Sequence, residues 1–178
     1  SQSEISSLLG LMRKFLKNDV KQLVDDDIRL LIIGDRTSFD QDLQDAFTRA
    51  EKQTAACTRM TLTVGINYGG RQDILKAAQR AIQKFSQKNQ LQQHEFEMGL
   101  NTSSLPDVDL LIRTGGEKRL SNFVLWEISY AELYFTDVLW PDFTLQDLSM
   151  AIKDYYGRNR RYGGDNVDGD DAIETIIR

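Results

Sequence analysis

The segment that decides the fold of this chain runs from Asp109 to Asn122 and reads DLLIRTGGEKRLSN. Its apolar run, Leu110–Ile112, ends in Arg113, and two glycines and a Lys-Arg pair follow. A short apolar run bounded by turn residues is typical of a buried strand in a parallel sheet. The segment therefore predicts a strand that ends in a cationic loop at its carboxyl end, where open α/β sheets bind their ligands.

The composition of this loop predicts a phosphate or diphosphate ligand. Glycines let backbone N–H groups approach an anion closely, and guanidinium groups match phosphate oxygens with paired hydrogen bonds. Arg113, Lys118, Arg119 and Ser121 supply such donors. A Gly-Gly pair after a strand often forms only a tight turn, but a protein core would not hold these charges unpaired.

Length and composition limit the classes of protein that the chain can represent. Its 178 residues fit one domain, and 40% hydrophobic with 28% charged residues is ordinary for a soluble globular protein. A net charge of −5 argues against general nucleic-acid binding. A single cysteine, Cys57, excludes an internal disulfide and suits a reducing cytosol, so we expect a cytoplasmic protein. No apolar run approaches the roughly 20 residues that span a bilayer.

Strand and helix patterns alternate along the chain. An apolar stripe from Ile5 to Leu23 predicts one long helix, with Ser1 and Glu4 as a capping box. Ser38 is expected to cap the second main helix. Further strands are predicted at 29–34, 60–68 and 132–135, and further helices at 74–85, 96–100, 122–129 and 145–155. The alternation predicts an α/β fold with a mainly parallel central sheet flanked by helices.

Several other residues admit two interpretations. The Gly-Gly loop at 67–71 is either a second anion site or a tight turn. Glu132, at the start of a strand, is either a solvated rim residue or a ligand of Mg²⁺, which proteins hold through one or two carboxylates plus phosphate oxygens. His94 lies in a polar segment and is expected to be a surface residue. The cluster Arg158, Arg160 and Arg161 either complements a helix dipole or contacts phosphate across a dimer interface.

Taken together, these motifs resemble the cis-prenyltransferases, in particular the bacterial undecaprenyl diphosphate synthases. The resemblance is carried by Asp109–Asn122 and by three segments after it, FVLW at 123–126, YAELYF at 130–135 and VLWPDF at 138–143. The segments IGD at 33–35, NYGGR at 67–71 and RRYGG at 160–164 match in the same order. It predicts one domain over residues 1–164 and a polar, mobile tail over 165–178.

The resemblance implies a transferase that condenses isopentenyl diphosphate with farnesyl diphosphate, forms cis double bonds and makes the lipid carrier of cell-wall synthesis. It implies that Arg113, Arg119, Leu120 and Ser121 bind isopentenyl diphosphate, and that Glu132 helps to hold Mg²⁺ across a homodimer. Arg161 and Gly163 match a motif that reaches the partner's diphosphate. Ile28, Met60 and Ile66 are candidates for the lining of a hydrophobic tunnel. Membrane contact is expected to be peripheral and to occur only through the product.

The resemblance does not include the family's first motif, an Asp-Gly-Asn segment whose aspartate binds Mg²⁺ and diphosphate. We therefore assign no catalytic residue within these 178 residues and expect the chain as given to be inactive on its own. The alternative function is that of a non-catalytic partner subunit, or degenerate relative, that binds diphosphate or a catalytic subunit. The retained Arg113–Ser121 segment and Glu132 argue against that alternative.

Overall fold

The computed structural model describes residues 2–158, with side chains from Ile5 onward. It confirms an α/β fold with parallel strands flanked by helices. In chain order, the elements are α1 (Gln2–Asn18), α2 (Val20–Asp25), β1 (Ile28–Ile33), α3 (Gln41–Thr54), β2 (Met60–Gly65), α4 (Gly70–Lys84), α5 (Gln93–Glu97), β3 (Leu110–Arg113), β4 (Glu132–Phe135), a 3₁₀ turn (Trp140–Asp142) and α6 (Leu145–Tyr156).

The chain forms two compact units whose sequences interleave. The first contains the residues up to Asp107 together with Leu120–Ser129. Among the described residues, the second contains Val108–Arg119 and 130–158. Each unit holds one pair of parallel strands, β1 with β2 and β3 with β4. The organisation into one domain over residues 1–164 stays a prediction.

The core of the first unit lies between its sheet and its helices. Strands β1 and β2 pair in parallel from Ile28 opposite Met60 to Ile33 opposite Gly65. Leu30, Leu43 and Phe47 are fully buried, and the apolar side of α1 packs against the same cluster. Burying side chains of this size contributes about 1.5–3 kcal/mol each, so this cluster is the main source of stability in the unit.

Helix α3 also covers the edge of β1 that β2 leaves open. The Leu30 N–H donates to the Thr54 hydroxyl at 3.0 Å, and the Ile32 N–H donates to the Glu51 carboxylate at 2.8 Å. Arg36 in turn pairs with Glu51. Because a strand edge with unpaired N–H groups invites pairing with another chain, these two helix side chains protect this edge by satisfying the Leu30 and Ile32 donors.

Three local predictions are corrected here. The first helix is broken at Asp19, which separates α1 from α2. The cap of α3 is Asp40 and not Ser38, because Asp40 is the residue directly before the helix and accepts from the Leu43 N–H at 3.0 Å. The short helix predicted at 96–100 lies at Gln93–Glu97, where Gln92 and Glu95 form a capping box. The predicted cap at Ser1 and Glu4 lies outside the described side chains.

In the second unit, β3 and β4 pair from Leu110 opposite Glu132 to Arg113 opposite Phe135. Helix α6 contacts β4. It begins with a capping box, in which Thr144 accepts from the Asp147 N–H and the Asp147 carboxylate accepts from the Thr144 N–H at 2.8 Å. No helix in the described part of the chain is long and apolar enough to cross a membrane.

Gly34, which follows β1, allows an unusually close approach of two backbone segments. Its φ is +116°, and a Cβ at this position would lie 2.0 Å from the Ile66 carbonyl oxygen. No side chain fits within that distance, and L-residues rarely adopt that φ. Glycine is therefore required where the chain leaves β1 and passes the end of β2.

Gly34→Ala should lower the free energy of unfolding by more than about 1–3 kcal/mol, the usual cost of one strained backbone position, because the clash adds to the strain. Gly10→Ala is the matched control. Gly10 lies in α1, and a Cβ added to it would have no neighbouring atom within 4 Å, so alanine should stabilise that helix by about 0.5–1 kcal/mol. Urea unfolding measures both changes, and equal effects would contradict this account.

Candidate diphosphate-binding site

Arg113 ends β3 and provides the strongest structural sign of an anion site. Its Nε atom is buried and has no hydrogen-bond partner among the described residues. A buried donor left unpaired costs about 1–3 kcal/mol, and more for a charged group, so such an atom calls for an acceptor. An oxygen of a bound diphosphate at the carboxyl end of the strand would be such an acceptor.

The two glycines after Arg113 do not present their N–H groups to a ligand, contrary to the sequence expectation. The Gly115 N–H donates to the Val138 carbonyl at 2.8 Å, and the Gly116 N–H donates to the Thr136 carbonyl at 2.9 Å. Their φ angles are +82° and +75°. The glycines are needed because the turn is left-handed, and they fix the loop against the segment that follows β4.

Arg119 lies at the end of this loop with a largely exposed side chain. Its guanidinium pairs with the Glu117 carboxylate two residues earlier. An exposed ion pair of this kind contributes only about 0–1 kcal/mol. Arg119 is therefore held near the loop at low energetic cost, and a doubly charged anion can draw it away.

Leu120 and Ser121 belong to the first unit, whereas Arg113 and Arg119 belong to the second. Ser121, Asn122 and Val124 have φ of +48°, +63° and +36°, so the helix predicted at 122–129 is wrong. Consecutive left-handed residues cannot continue a right-handed helix. The segment forms a series of turns instead.

Asn122 fixes this series of turns by capping α4. Its carbonyl accepts from the Gly70 N–H at 2.7 Å, and its side-chain oxygen accepts from the Arg71 N–H at 2.9 Å. These are donors that the start of a helix leaves unpaired. A Cβ on Gly70 would lie 2.9 Å from Leu125, so the Gly-Gly pair at 69–70 allows close packing. The Gly70 and Arg71 N–H groups are thus engaged within the protein, which supports the tight-turn interpretation of the loop at 67–71.

Other side chains of the 120–129 segment anchor it to the first unit. Phe123 packs edge-to-face on Tyr68 with ring centroids 5.9 Å apart, and Trp126 packs on Phe96 at 4.7 Å. The Trp126 indole N–H donates to Glu97 at 3.1 Å. Glu127 is buried and accepts from the Thr102 hydroxyl. These contacts fix the backbone of the segment that follows Ser121 within the first unit.

A polar cavity of about 340 Å³ lies at the carboxyl ends of β1 and β2. Its acidic and basic groups already satisfy each other, since Lys76 pairs with Asp35 at 2.9 Å. Asp73, also in its wall, is buried and accepts from the Asn101 N–H and side-chain amide. Burial, followed by the nearby Asp73 carboxylate, raises the pKa of Tyr68. The wall thus holds two carboxylates and one ammonium group, and this excess of negative charge does not favour a diphosphate.

Glu132 lies at the amino end of β4, whereas Arg113 lies at the carboxyl end of β3. The structure therefore does not bring these two predicted residues together within the second unit. Arg158, just after α6, donates to the Glu132 carboxylate at 2.7 Å. Arg158 thus has a specific partner in addition to the helix end that the sequence suggested. Arg160, Arg161 and Gly163 lie outside the described residues.

The residues present fit a magnesium ion only as part of a larger ligand set. No group of three or more His, Cys, Asp or Glu side chains that could hold a metal occurs in residues 5–158. Glu132 offers one partly exposed carboxylate, whose Oε2 pairs with Arg158 at 2.7 Å. A single carboxylate that acts together with diphosphate oxygens matches how proteins hold Mg²⁺.

An apolar groove of about 400 Å³ lies in the first unit between α1 and the sheet. Its lining is entirely hydrophobic and includes Leu8, Met12, Phe15, Leu62, Val64 and Ile66. Of the three predicted tunnel residues, Ile66 lines this groove. Ile28 and Met60 are register partners at the opposite ends of β1 and β2 and do not line it. Their role in a tunnel stays a prediction.

Parallel strands flanked by helices, with a buried and unpaired arginine donor at the end of β3, define an α/β protein with a candidate anion site. Residues 1–163 match the protein family described as "Putative undecaprenyl diphosphate synthase", and the chain belongs to this family.

Individual relatives agree with this assignment. The chain is 46% identical to the isoprenyl transferase of Treponema denticola over 165 residues, which are 92% of this chain and 71% of that protein. It is 44% identical to the Escherichia coli K12 ditrans,polycis-undecaprenyl-diphosphate synthase, described as specific for (2E,6E)-farnesyl diphosphate, over 90% of this chain and 65% of that protein.

A solved structure extends the agreement to the fold. The chain superposes on a probable undecaprenyl diphosphate synthase from Campylobacter jejuni with a TM-score of 0.83 and 33% identity. The match covers 92% of this chain and 76% of that one.

Asn122→Ala should destabilise the protein, because it removes a helix cap and places alanine at a left-handed position. The expected loss in the free energy of unfolding is about 1–2 kcal/mol. Asn122→Asp keeps the acceptor oxygen for the Arg71 N–H and tolerates the same backbone conformation, so it should retain most of the stability. Urea denaturation compares the two variants, and equal losses would argue against the cap.

Asp35 should contribute to the acid sensitivity of the fold. Hydrogen bonds from the Thr37 hydroxyl, and then from Lys76, lower the pKa of Asp35 from 3.8 to about 2. A lowered pKa in the folded state gives stability that is present above pH 4 and is lost as the pH falls towards 2. The stability difference between the wild type and Asp35→Asn, measured by urea unfolding, should therefore shrink between pH 4 and 2. A constant difference would contradict this assignment.

Proposed function

We propose that this protein takes part in prenyl-chain elongation of the undecaprenyl diphosphate synthase type, as a transferase that condenses isopentenyl diphosphate with farnesyl diphosphate in cis geometry. The observation that carries the proposal is the buried, unpartnered Nε of Arg113 at the carboxyl end of β3. Membership of the family supports the choice of diphosphate esters as ligands over other anions.

The proposed reaction places definite demands on the site. The bond between the allylic carbon and its diphosphate breaks, a carbon–carbon bond forms to the terminal alkene carbon of isopentenyl diphosphate, and a proton leaves the latter to restore a double bond. Negative charge grows on the departing diphosphate while positive charge grows on carbon. Fixed cations that bind diphosphate lower the barrier by stabilising the developing charge and by holding the two carbons in reach.

Arg113 and Arg119 are suited to hold the diphosphate of isopentenyl diphosphate. Arg113 presents a buried donor at a rigid strand end, whereas Arg119 is exposed and held only by Glu117. We assign Arg113 the fixed contact and Arg119 the contact that forms when the ligand enters. Leu120 and Ser121 stay predicted ligands of isopentenyl diphosphate by the family resemblance alone, and the Asn122 cap fixes the backbone next to them within the first unit.

When bound, Mg²⁺ would neutralise charge on a diphosphate, and Glu132 is the described residue assigned to help hold it. Glu132 lies at the amino end of β4, away from the carboxyl end of β3 where Arg113 lies. We therefore assign Glu132 to a diphosphate other than the one that Arg113 binds, which is consistent with a homodimer. Leu139, Trp140 and Leu145 of the second unit are between 59% and 82% exposed. Exposed apolar side chains of this size favour a protein–protein contact.

The apolar groove under α1 is assigned to hydrocarbon. Every lining residue is apolar, so the groove offers no hydrogen bond that would hold water. A growing prenyl chain has only apolar surface to bury, and each CH₂ group transferred from water contributes about 0.8 kcal/mol. Of the three predicted tunnel residues, Ile66 is the one that lines this groove.

Arg119→Ala should weaken the binding of isopentenyl diphosphate about tenfold to a hundredfold, since a hydrogen bond to a charged group contributes about 1.5–3 kcal/mol. Binding of farnesyl diphosphate should weaken less. Lys153→Ala is the charge-matched control, because it removes a positive charge from the exposed side of α6, and it should leave both affinities unchanged. Isothermal titration of both ligands in the presence of Mg²⁺ measures these affinities, and equal losses for the two ligands would contradict the assignment.

Turnover provides the direct test of the proposed function. The full-length protein, farnesyl diphosphate, radiolabelled isopentenyl diphosphate and Mg²⁺ should give a long polyprenyl diphosphate that thin-layer chromatography resolves. Absence of any elongated product, with isopentenyl diphosphate still bound in the titration, would favour the non-catalytic partner subunit instead. Absence of both would overturn the proposal.

A further inference from the structure

Arg158 is fixed by three acceptors in the second unit, and only one of them is Glu132. Its Nη1 atom donates to the Glu132 carboxylate at 2.7 Å. Its Nη2 atom donates to the Leu133 carbonyl at 3.0 Å and pairs with the Asp154 carboxylate at 2.6 Å. The guanidinium therefore contacts both the side chain of Glu132 and the backbone of the next residue.

This arrangement differs from an ordinary surface ion pair in its geometry. A surface pair joins two flexible side chains and loses its energy to their entropy. Arg158 is instead held by a strand carbonyl and by the last turn of α6, and its side chain is 32% exposed. A planar guanidinium held in this way imposes a direction on the carboxylate that accepts from it, which an ammonium group does not do.

We propose that Arg158 is a positioning residue that orients the Glu132 carboxylate for Mg²⁺ bound with a diphosphate. The inference rests on the proposed function, in which Glu132 helps to hold that ion. By donating to Oε2 and to the adjacent Leu133 carbonyl, Arg158 fixes the Glu132 carboxylate relative to β4. Partners of this kind, which hydrogen-bond a metal ligand without touching the metal, typically change metal affinity by about tenfold to a hundredfold when removed.

Two other roles for Arg158 make opposite predictions. If Arg158 acted only through its charge, its removal would strengthen cation binding, because a positive charge near a carboxylate repels a metal ion. If it blocked Glu132 as a competitor, both Lys and Gln at this position would strengthen cation binding. Positioning alone predicts that Arg158→Lys weakens metal binding although the charge is unchanged, because lysine lacks the fixed fork.

The experiment measures the binding of Mn²⁺, as a spectroscopic substitute for Mg²⁺, by electron paramagnetic resonance in the presence of isopentenyl diphosphate. Arg158→Lys and Arg158→Gln should each weaken Mn²⁺ binding about tenfold or more. Asp154→Asn, which removes one support of the guanidinium, should weaken it less. Lys153→Gln is the matched control, since it removes a positive charge from the exposed side of the same helix, and it should leave binding unchanged.

Glu132→Gln separates failure of this inference from failure of the proposed function. If Glu132→Gln leaves Mn²⁺ binding intact, the metal role of Glu132 and the inference both fall. If Glu132→Gln weakens binding but Arg158→Lys does not, only the positioning role of Arg158 is overturned. Thermal unfolding followed by circular dichroism checks that each variant is folded. If the Arg158 variants do not fold, Asp154→Asn still tests the inference.

Discussion

The parallel register of β3 and β4 is the constraint on which the second unit depends. It sets Leu110 opposite Glu132 and Arg113 opposite Phe135. With a rise of about 3.3 Å per residue, the arginine and the carboxylate are separated by about 10 Å along the strands. No side-chain rotation changes that distance within one strand pair. The register therefore separates an arginine with a buried, unpaired Nε at one end of the strand pair from a carboxylate held by Arg158 at the other.

The sequence predicted the regular elements well because their signals are local. Continuous apolar runs indicated β1 and β3, and helical spacing indicated α3, α4 and α6. The segment at 122–129 is different. Its composition allows a helix, but Asn122 bonds to Gly70 and Arg71, about 50 residues earlier in the chain. No pattern within the segment shows that its backbone must turn left-handed to reach a helix end formed by distant residues.

In the candidate site, too, the features carried by local sequence were predictable and those that depend on distant residues were not. The sequence indicated Arg113, Arg119 and Glu132 as candidates, since charge and glycine content are visible in a single chain, and their roles stay predictions. It assigned the wrong purpose to Gly115 and Gly116, whose N–H groups bond to Val138 and Thr136 beyond the next strand. It also could not pair Arg158 with Glu132, because α6 and β4 meet only through the fold. Residue type was thus predictable, whereas the partner of each residue was not.

The interleaved path of the chain has a consequence for how the protein is made. The first unit needs Leu120–Ser129, yet β3, a strand of the second unit, is synthesised before that segment. During translation, α4 therefore emerges from the ribosome about 50 residues ahead of its cap, Asn122. Domains generally fold as units during synthesis, but here neither unit is a contiguous stretch that can finish alone. A nascent chain that pauses before Asn122 would hold β3 without its partner strand and α4 without its cap, and would be a natural substrate for chaperones.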